Sequence, residues 1–273
     1  MLNVAQDLSF QPVDPSTALV MTDAQVAHYN QHGFVQPFDV FDASEMRGIR
    51  TYIDSLIEAM GPEGAYGINC YQSRLSGLWD IATDPRILDL VQDIVGPDIL
   101  CWASAVFSKA PGDPKAVGWH QDASFWKLNP ARTVTVWLAI DNADAENAAM
   151  RFIPGTHKMG AMKVRQTEGS VLRMETEGAE ELGAPFTNTL RAGQISLHAD
   201  MLVHGSKPNG SDRRRCGLTL RYCPAEVQII DAKWASGVEA ILCRGVASDW
   251  RTFPRPENND ITQTSSPHVV GNN

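Results

Sequence analysis

The nine residues from Arg132 to Ile140 alternate strictly, and that run most narrows what the chain can become. Val134, Val136, Leu138 and Ile140 fall on one side of an extended backbone, and Thr135 and Trp137 on the other. A period of two is the signature of a strand with one aliphatic face. Residues 99–107, 194–197 and 216–223 read as further strands. Short strands separated by turn signals point to a β-barrel or a double-sheet jelly roll.

The first hundred residues have a different texture. Thr22-Asp23-Ala24-Gln25 is a capping-box start, and Gly33 closes that helix. A second helix is predicted over about 43–60, where Met46, Ile49, Ile53, Leu56 and Met60 recur three and four residues apart. A third starts at Asp84-Pro85 and stops at Gly96-Pro97. Helices first and strands later make the class α+β, with helices covering one sheet. At 273 residues we expect a single domain: helices over about 22–97, a jelly-roll core over about 99–224, and a closing segment over 225–273. The acidic stretch 166–188 reads as a solvated insertion, or as a lid beside a site.

The net charge of −9 argues against nucleic acid as a partner, because phosphate binding needs a basic surface. The only basic cluster is Arg213-Arg214-Arg215, whose first two members read as solvated turn charges. No run of about 18 apolar residues occurs, so no membrane span is expected. The N-terminal stretch, residues 1–7, lacks a basic and an apolar region, so no secretory leader is expected. Five cysteines stand at no zinc-like spacing, and Cys101, Cys216 and Cys223 lie in apolar runs. They read as reduced core thiols of a cytoplasmic protein.

Gly118-Trp119-His120-Gln121-Asp122 carries the chemistry. On a strand, His120 and Asp122 would face one way while Gln121 faces the other. A His-x-Asp pair with a distant His is the ligand set of a non-haem Fe(II) oxygenase, with positions left open for a cosubstrate and O₂. A hydrogen-bonded surface pair is the competing reading. His204, before Gly205-Ser206, is the preferred third ligand, with His198 as its competitor inside a strand. Arg215 follows His204 by eleven residues and opens a strand. A guanidinium there would clamp the far carboxylate of a dicarboxylate such as 2-oxoglutarate, with Ser206 as a second donor. Arg221 shares a strand face with Arg215 and stands as an alternative clamp or a substrate contact.

These segments resemble the phytanoyl-CoA dioxygenase family. The resemblance rests on His120-Gln121-Asp122, the Pro154-Gly155-Thr156-His157 turn, and His204-Gly205-Ser206 with Arg215, and runs from about Thr22 to Tyr222. It implies a double-stranded β-helix with flanking helices, using Fe(II), 2-oxoglutarate and O₂. It implies iron on His120, Asp122 and His204, and the cosubstrate on Arg215 and Ser206, with Trp137 beside it and Thr135 on the same strand face. Related halogenases lack the carboxylate, so the presence of Asp122 implies hydroxylation.

Candidate substrate contacts are Asn69, Gln72, Ser104, Ser108, Lys109, Trp126 and Arg221. A Lys or Arg beside a Trp suits a small zwitterionic or anionic molecule. The stretch from Trp119 to Trp126 is similar to bacterial dioxygenases of 2-aminoethylphosphonate and its trimethylammonio analogue. Hydroxylases of amino acids, compatible solutes or natural-product intermediates remain open. So does a cupin-like metal-binding protein without catalysis, which has no use for a dicarboxylate clamp.

Overall fold

A computed structural model of the chain describes residues 5–267. Residues 1–4, part of the stretch read for a leader, and His268 in the tail lie outside the described residues. Helix α1 (Asp23–His32) opens on the expected capping box, with Thr22 and Gln25 bonding each other reciprocally. Gly33 ends it at φ +84°, where a Cβ would lie 2.5 Å from the His157 ring. Helix α2 (Ala43–Ala59) begins on a second capping box, Asp42 with Glu45. Helix α3 (Ser76–Ala82) is short and has no clear periodic signal. Helix α4 (Pro85–Val95) starts on the Asp84 cap with proline in its first turn. Helix α5 (Ala232–Gly237) lies in the closing segment.

Among the described residues the strands run in chain order as β1 (Phe34–Asp39), β2 (Ile99–Lys109), β3 (Val117–His120), β4 (Leu128–Asn129), β5 (Val134–Ala139), β6 (Arg151–Phe152), β7 (Val164–Gln166), β8 (Met174–Thr176), β9 (Phe186–Thr187), β10 (Gln194–Ala199), β11 (His204–Ser206), β12 (Arg215–Pro224), β13 (Gln228–Ile229) and β14 (Ile241–Arg244). The major sheet has the order β1-β10-β5-β12-β2-β14, and the minor sheet β3-β11-β6-β9. Neighbouring strands in both are antiparallel. This is the α+β jelly-roll core with flanking helices that the sequence predicts.

The alternation of β5 explains why the layers stack as they do. Val134, Val136 and Leu138 join Ile195, Leu197, Leu218 and Leu220 on the outer face of the major sheet. There they pack against Ile53 and Leu56 of α2, Leu78 of α3, and Leu88 and Val91 of α4. Each such aliphatic side chain contributes roughly 1.5–3 kcal/mol by leaving water. The inner face carries the other parity. Thr219 stands opposite Trp137, Arg221 opposite Thr135, His198 opposite Thr135, and Arg215 opposite Lys109. This polar inner face is the scaffold for the site.

The acidic stretch is more structured than a solvated insertion. Strands β7 and β8 form a hairpin, and the turn between them reaches the metal-bearing strand. Ser170 Oγ accepts from the Gly118 N–H at 2.9 Å, and the Val171 N–H donates to the Ala116 carbonyl. A Cβ on Gly118 would stand 3.1 Å from Glu175 Cβ, so the absence of a side chain permits this approach. Residues 252–267 of the closing segment are largely irregular. They are tied to the start of α3 by Asn258 and Asn259, which accept from the Ser76 and Gly77 N–H groups.

Candidate metal centre

Strands β3 and β11 pair so that His120 and His204 stand directly opposite each other. Their rings lie 4.1 Å apart between centroids. Asp122 is not on the strand, as the spacing argument assumes. Strand β3 ends at His120, and Asp122 begins a 3-10 turn to Phe125. Gln121 nevertheless keeps an extended backbone, φ −107° and ψ 122°, so alternation still turns its side chain away from the two ligands. Gln121 then acts as a bracket: its amide donates to the Gly160 and Met201 carbonyls and accepts from the Met162 N–H.

One ligand atom from each of His120, Asp122 and His204 can be chosen so that all lie within 4.8 Å of one another, and all three residues are buried. The imidazole tautomers are set by the backbone. His120 Nδ1 lies 2.8 Å from the Gly118 carbonyl, and His204 Nδ1 2.9 Å from the Leu202 carbonyl. A carbonyl can only accept, so each Nδ1 carries the proton and each Nε2 presents a lone pair. Those Nε2 atoms lie 3.5 and 4.0 Å from Asp122 Oδ1. Burial, and then His120, push His204 well below the ordinary imidazole range, which keeps it a neutral donor. The carboxyl of Asp122 is held below its usual range against the cost of burial, with the positive Arg221 among the groups that favour its charged form. Thr135 Oγ1 donates to Asp122 Oδ2 at 3.3 Å. Two neutral nitrogens and one oriented carboxylate, preset by backbone carbonyls, fit Fe(II).

His198, the competing ligand, lies on the inner face with its ring 4.7 Å from that of His204. It is buried, and neither ring nitrogen has a hydrogen-bond partner. Burial pushes it down to about 4, so it is neutral there. His157 is a structural turn residue, packed edge-on to Phe10 at 4.3 Å and bonded to the Asn30 carbonyl.

Arg215 lies at the far end of the inner face, 2% exposed. Its Nη2 donates to Ser206 Oγ at 3.1 Å, and its Nε to the Ala148 carbonyl at 3.1 Å. Ala148 adopts φ +63°, an unusual backbone for a non-glycine residue. The guanidinium stands 5.8 Å from the Trp137 ring centroid. Burial pushes it down to about 10, so it stays charged at neutral pH. Among the described residues no carboxylate forms an ion pair with it. A buried, oriented cation without an anion is an anion site by its chemistry.

The expected substrate residues divide between the two sheet faces. Trp126 is buried beneath Arg221, whose guanidinium lies 5.2 Å from its ring centroid. Asn69 bridges to Ala105 on the inner face, with its amide donating to the Tyr66 carbonyl. Lys109 is on the inner face, but its Nζ is engaged by the Lys115 and Lys207 carbonyls at 2.5 and 2.6 Å. Gln72 and Ser108 are corrections, as is Ser104. Ser104 and Ser108 share the parity of Val106 and face the helix-side core. Gln72 is fully buried there, bonded to Ser104 Oγ and the Glu239 carbonyl. Arg214 also departs from expectation: it is paired with Asp54 and Asp141 rather than solvated. Tyr66 was not anticipated. It bonds Asp113 and lies close enough to Arg215 to affect its charge, and no local motif marks it.

Comparison with known proteins adds the ancestry. A family model described as phytanoyl-CoA dioxygenase (PhyH) matches residues 29–217. The human peroxisomal phytanoyl-CoA dioxygenase is 27% identical over 168 residues, covering 58% of this chain and 49% of that protein. A probable alpha-ketoglutarate-dependent hypophosphite dioxygenase of Stutzerimonas stutzeri is 30% identical over 147 residues, covering 52% and 51%. The chain thus spans about half the length of the curated relatives it matches. Among solved structures, the non-heme monooxygenase ThoJ in its apo form superposes with a TM-score of 0.74 at 25% identity, covering 85% of this chain and 88% of that one.

Proposed function

The chain belongs to the phytanoyl-CoA dioxygenase family, and from that premise we propose that it is an Fe(II)- and 2-oxoglutarate-dependent oxygenase that hydroxylates a C–H bond of a small polar substrate. The carrying observation is the charged, unpaired Arg215 on the same inner face as the His120, Asp122 and His204 cluster. Iron, when bound with 2-oxoglutarate, supplies O₂ activation coupled to decarboxylation, giving succinate and CO₂ as one oxygen atom enters the substrate.

The residues then have separate tasks. His120, Asp122 and His204 hold the iron, and Thr135 fixes the carboxylate rotamer. Arg215 and Ser206 bind the far carboxylate of 2-oxoglutarate, and Trp137 walls that end off from water. A metal-storage protein would need the cluster but not the buried guanidinium.

For the substrate we favour 2-aminoethylphosphonate, hydroxylated at the carbon next to phosphorus. The support is the Trp119–Trp126 stretch and a relative whose name specifies a phosphorus oxyanion. Amino acids, compatible solutes and natural-product intermediates are the competing substrates. The test is succinate formation by the iron-loaded protein across phosphonates, amino acids and betaines. Stimulation by a phosphonate alone is the expected result. Stimulation only by another class overturns the phosphonate assignment, and no stimulation together with no visible chelate band on anaerobic 2-oxoglutarate addition overturns the oxygenase.

A further inference from the structure

Arg221 is the charged group on the inner face that the iron and cosubstrate assignments leave unused. Its Nε is buried without a hydrogen-bond partner, and none of its donors is engaged among the described residues. Such a group costs stability unless something completes it. It is also well aimed. It stands opposite Thr135, the residue bonded to Asp122. The guanidinium lies over the Trp126 ring, 5.2 Å from its centroid, a support that leaves its N–H groups free to donate.

Trp126 is braced in turn. Trp102 meets it edge-on at 4.6 Å, and Trp234 of α5 backs Trp102 at 5.5 Å. Arg221 and Trp234 both lie beyond the family-matched segment, which ends at residue 217. The wall thus joins two residues of the matched segment, Trp102 and Trp126, to two that lie beyond it.

We propose that Arg221, stacked on Trp126, anchors a substrate oxyanion, phosphonate or carboxylate, beside the metal centre; this rests on the oxygenase reading above. The substrate is thereby an anion, and its charged end points toward the Trp102–Trp126–Trp234 wall rather than toward Arg215. A role as mere counter-charge to Asp122 is the competing explanation, and it has a different signature. It predicts weaker iron binding when the charge is lost, whereas an anchor predicts weaker substrate binding alone.

The test uses the full chain loaded anaerobically with Fe(II) and 2-oxoglutarate, comparing wild type with Arg221→Gln and Arg221→Lys by calorimetry. Methylphosphonate and acetate are the anion probes. The pair 2-aminoethylphosphonate and 3-aminopropanoate then distinguishes phosphonate from carboxylate, with 2-aminoethanol, which keeps the ammonium and lacks the oxyanion, as the control. Loss of a charge-assisted contact should weaken anion binding roughly 30-fold in the Gln variant. Lys should recover part of it, and the chelate band should titrate with 2-oxoglutarate as in wild type. Anion binding that depends on Arg221 without turnover of any phosphonate would sink the substrate assignment above and keep the anchor. Equal anion binding by wild type and Gln, no anion binding by wild type, or loss of iron in both variants would each overturn the anchor.

Discussion

Two arginines occupy the inner face of one strand in opposite conditions. Arg215 is oriented before any ligand arrives, by Ser206, the Ala148 carbonyl and Trp137. Arg221, three positions further along the same face, has an aromatic ring for support and no hydrogen bond among the described residues. The difference separates two binding problems. A cosubstrate that is the same in every turnover rewards a clamp whose geometry is set in advance, because less ordering is left to do on binding. A group whose donors are still free can take its geometry from the substrate. The metal cluster lies between these ends and serves both.

The largest effect should come from removing that shared centre. Asp122→Ala takes away the only charged iron ligand, and succinate formation should fall by more than about 100-fold, the size reached by changing residues one layer further out. Iron stoichiometry measured alongside activity checks it. An iron-loaded variant with wild-type turnover would leave neither arginine an adjacent reaction to serve.

The comparison itself is tested by Arg215→Gln. Loss of the fixed guanidinium should raise the 2-oxoglutarate concentration needed for half-saturation roughly 10- to 100-fold. The same substitution at Arg221 should leave that value near wild type. Equal shifts in both variants would show one continuous basic surface instead of two sites.

Much of this contrast was readable from local pattern. The capping box at Thr22 marked one helix start, because a cap is satisfied within four residues of chain, and the apolar stripe from Met46 to Met60 marked the second helix. Strict alternation fixed β5 and its two faces, and the His120, Asp122 and His204 cluster does assemble. What failed depended on long-range register. Lys109 and Ser108 are neighbours on one strand and cannot share a face, so naming both as pocket residues broke the parity rule that β5 obeys. Gln72 was misplaced for a different reason: its partners Ser104 and Glu239 are 32 and 167 residues away. The end of β3 at His120 was hidden as well, since the turn to Phe125 has no glycine or proline to announce it.

A smaller effect probes the floor between the two arginines. Gly217 lies beneath Trp137, and an added Cβ would come within 2.2 Å of the indole. Gly217→Ala must displace the ring that backs Arg215, so it should cost about 1–3 kcal/mol of stability by overpacking. Urea unfolding measures this, and 2-oxoglutarate affinity should weaken more than anion-probe affinity. A loss confined to the Arg221 end would mean that Trp137 supports Arg221 rather than Arg215.

The smallest effect concerns the neighbour of Arg215. Lys109 is 0% exposed and stands opposite it across the strand pair. Burial first, and then the positive Arg215, push the Lys109 ammonium down to about 7. The neutral amine has two N–H groups, which match the two carbonyls it meets. In the unfolded chain the group returns to about 10.4. Between those values the unfolded state binds more protons, so this lysine makes stability rise with pH from about 7 to about 10. Below that window both states are protonated and the contribution is flat. The urea midpoint of wild type should therefore gain more between pH 7 and pH 9 than that of Lys109→Met. Equal gains would mean that Lys109 stays charged beside Arg215. Two buried cations would then share the preset end, and its demand for a dicarboxylate would exceed that of Arg215 alone.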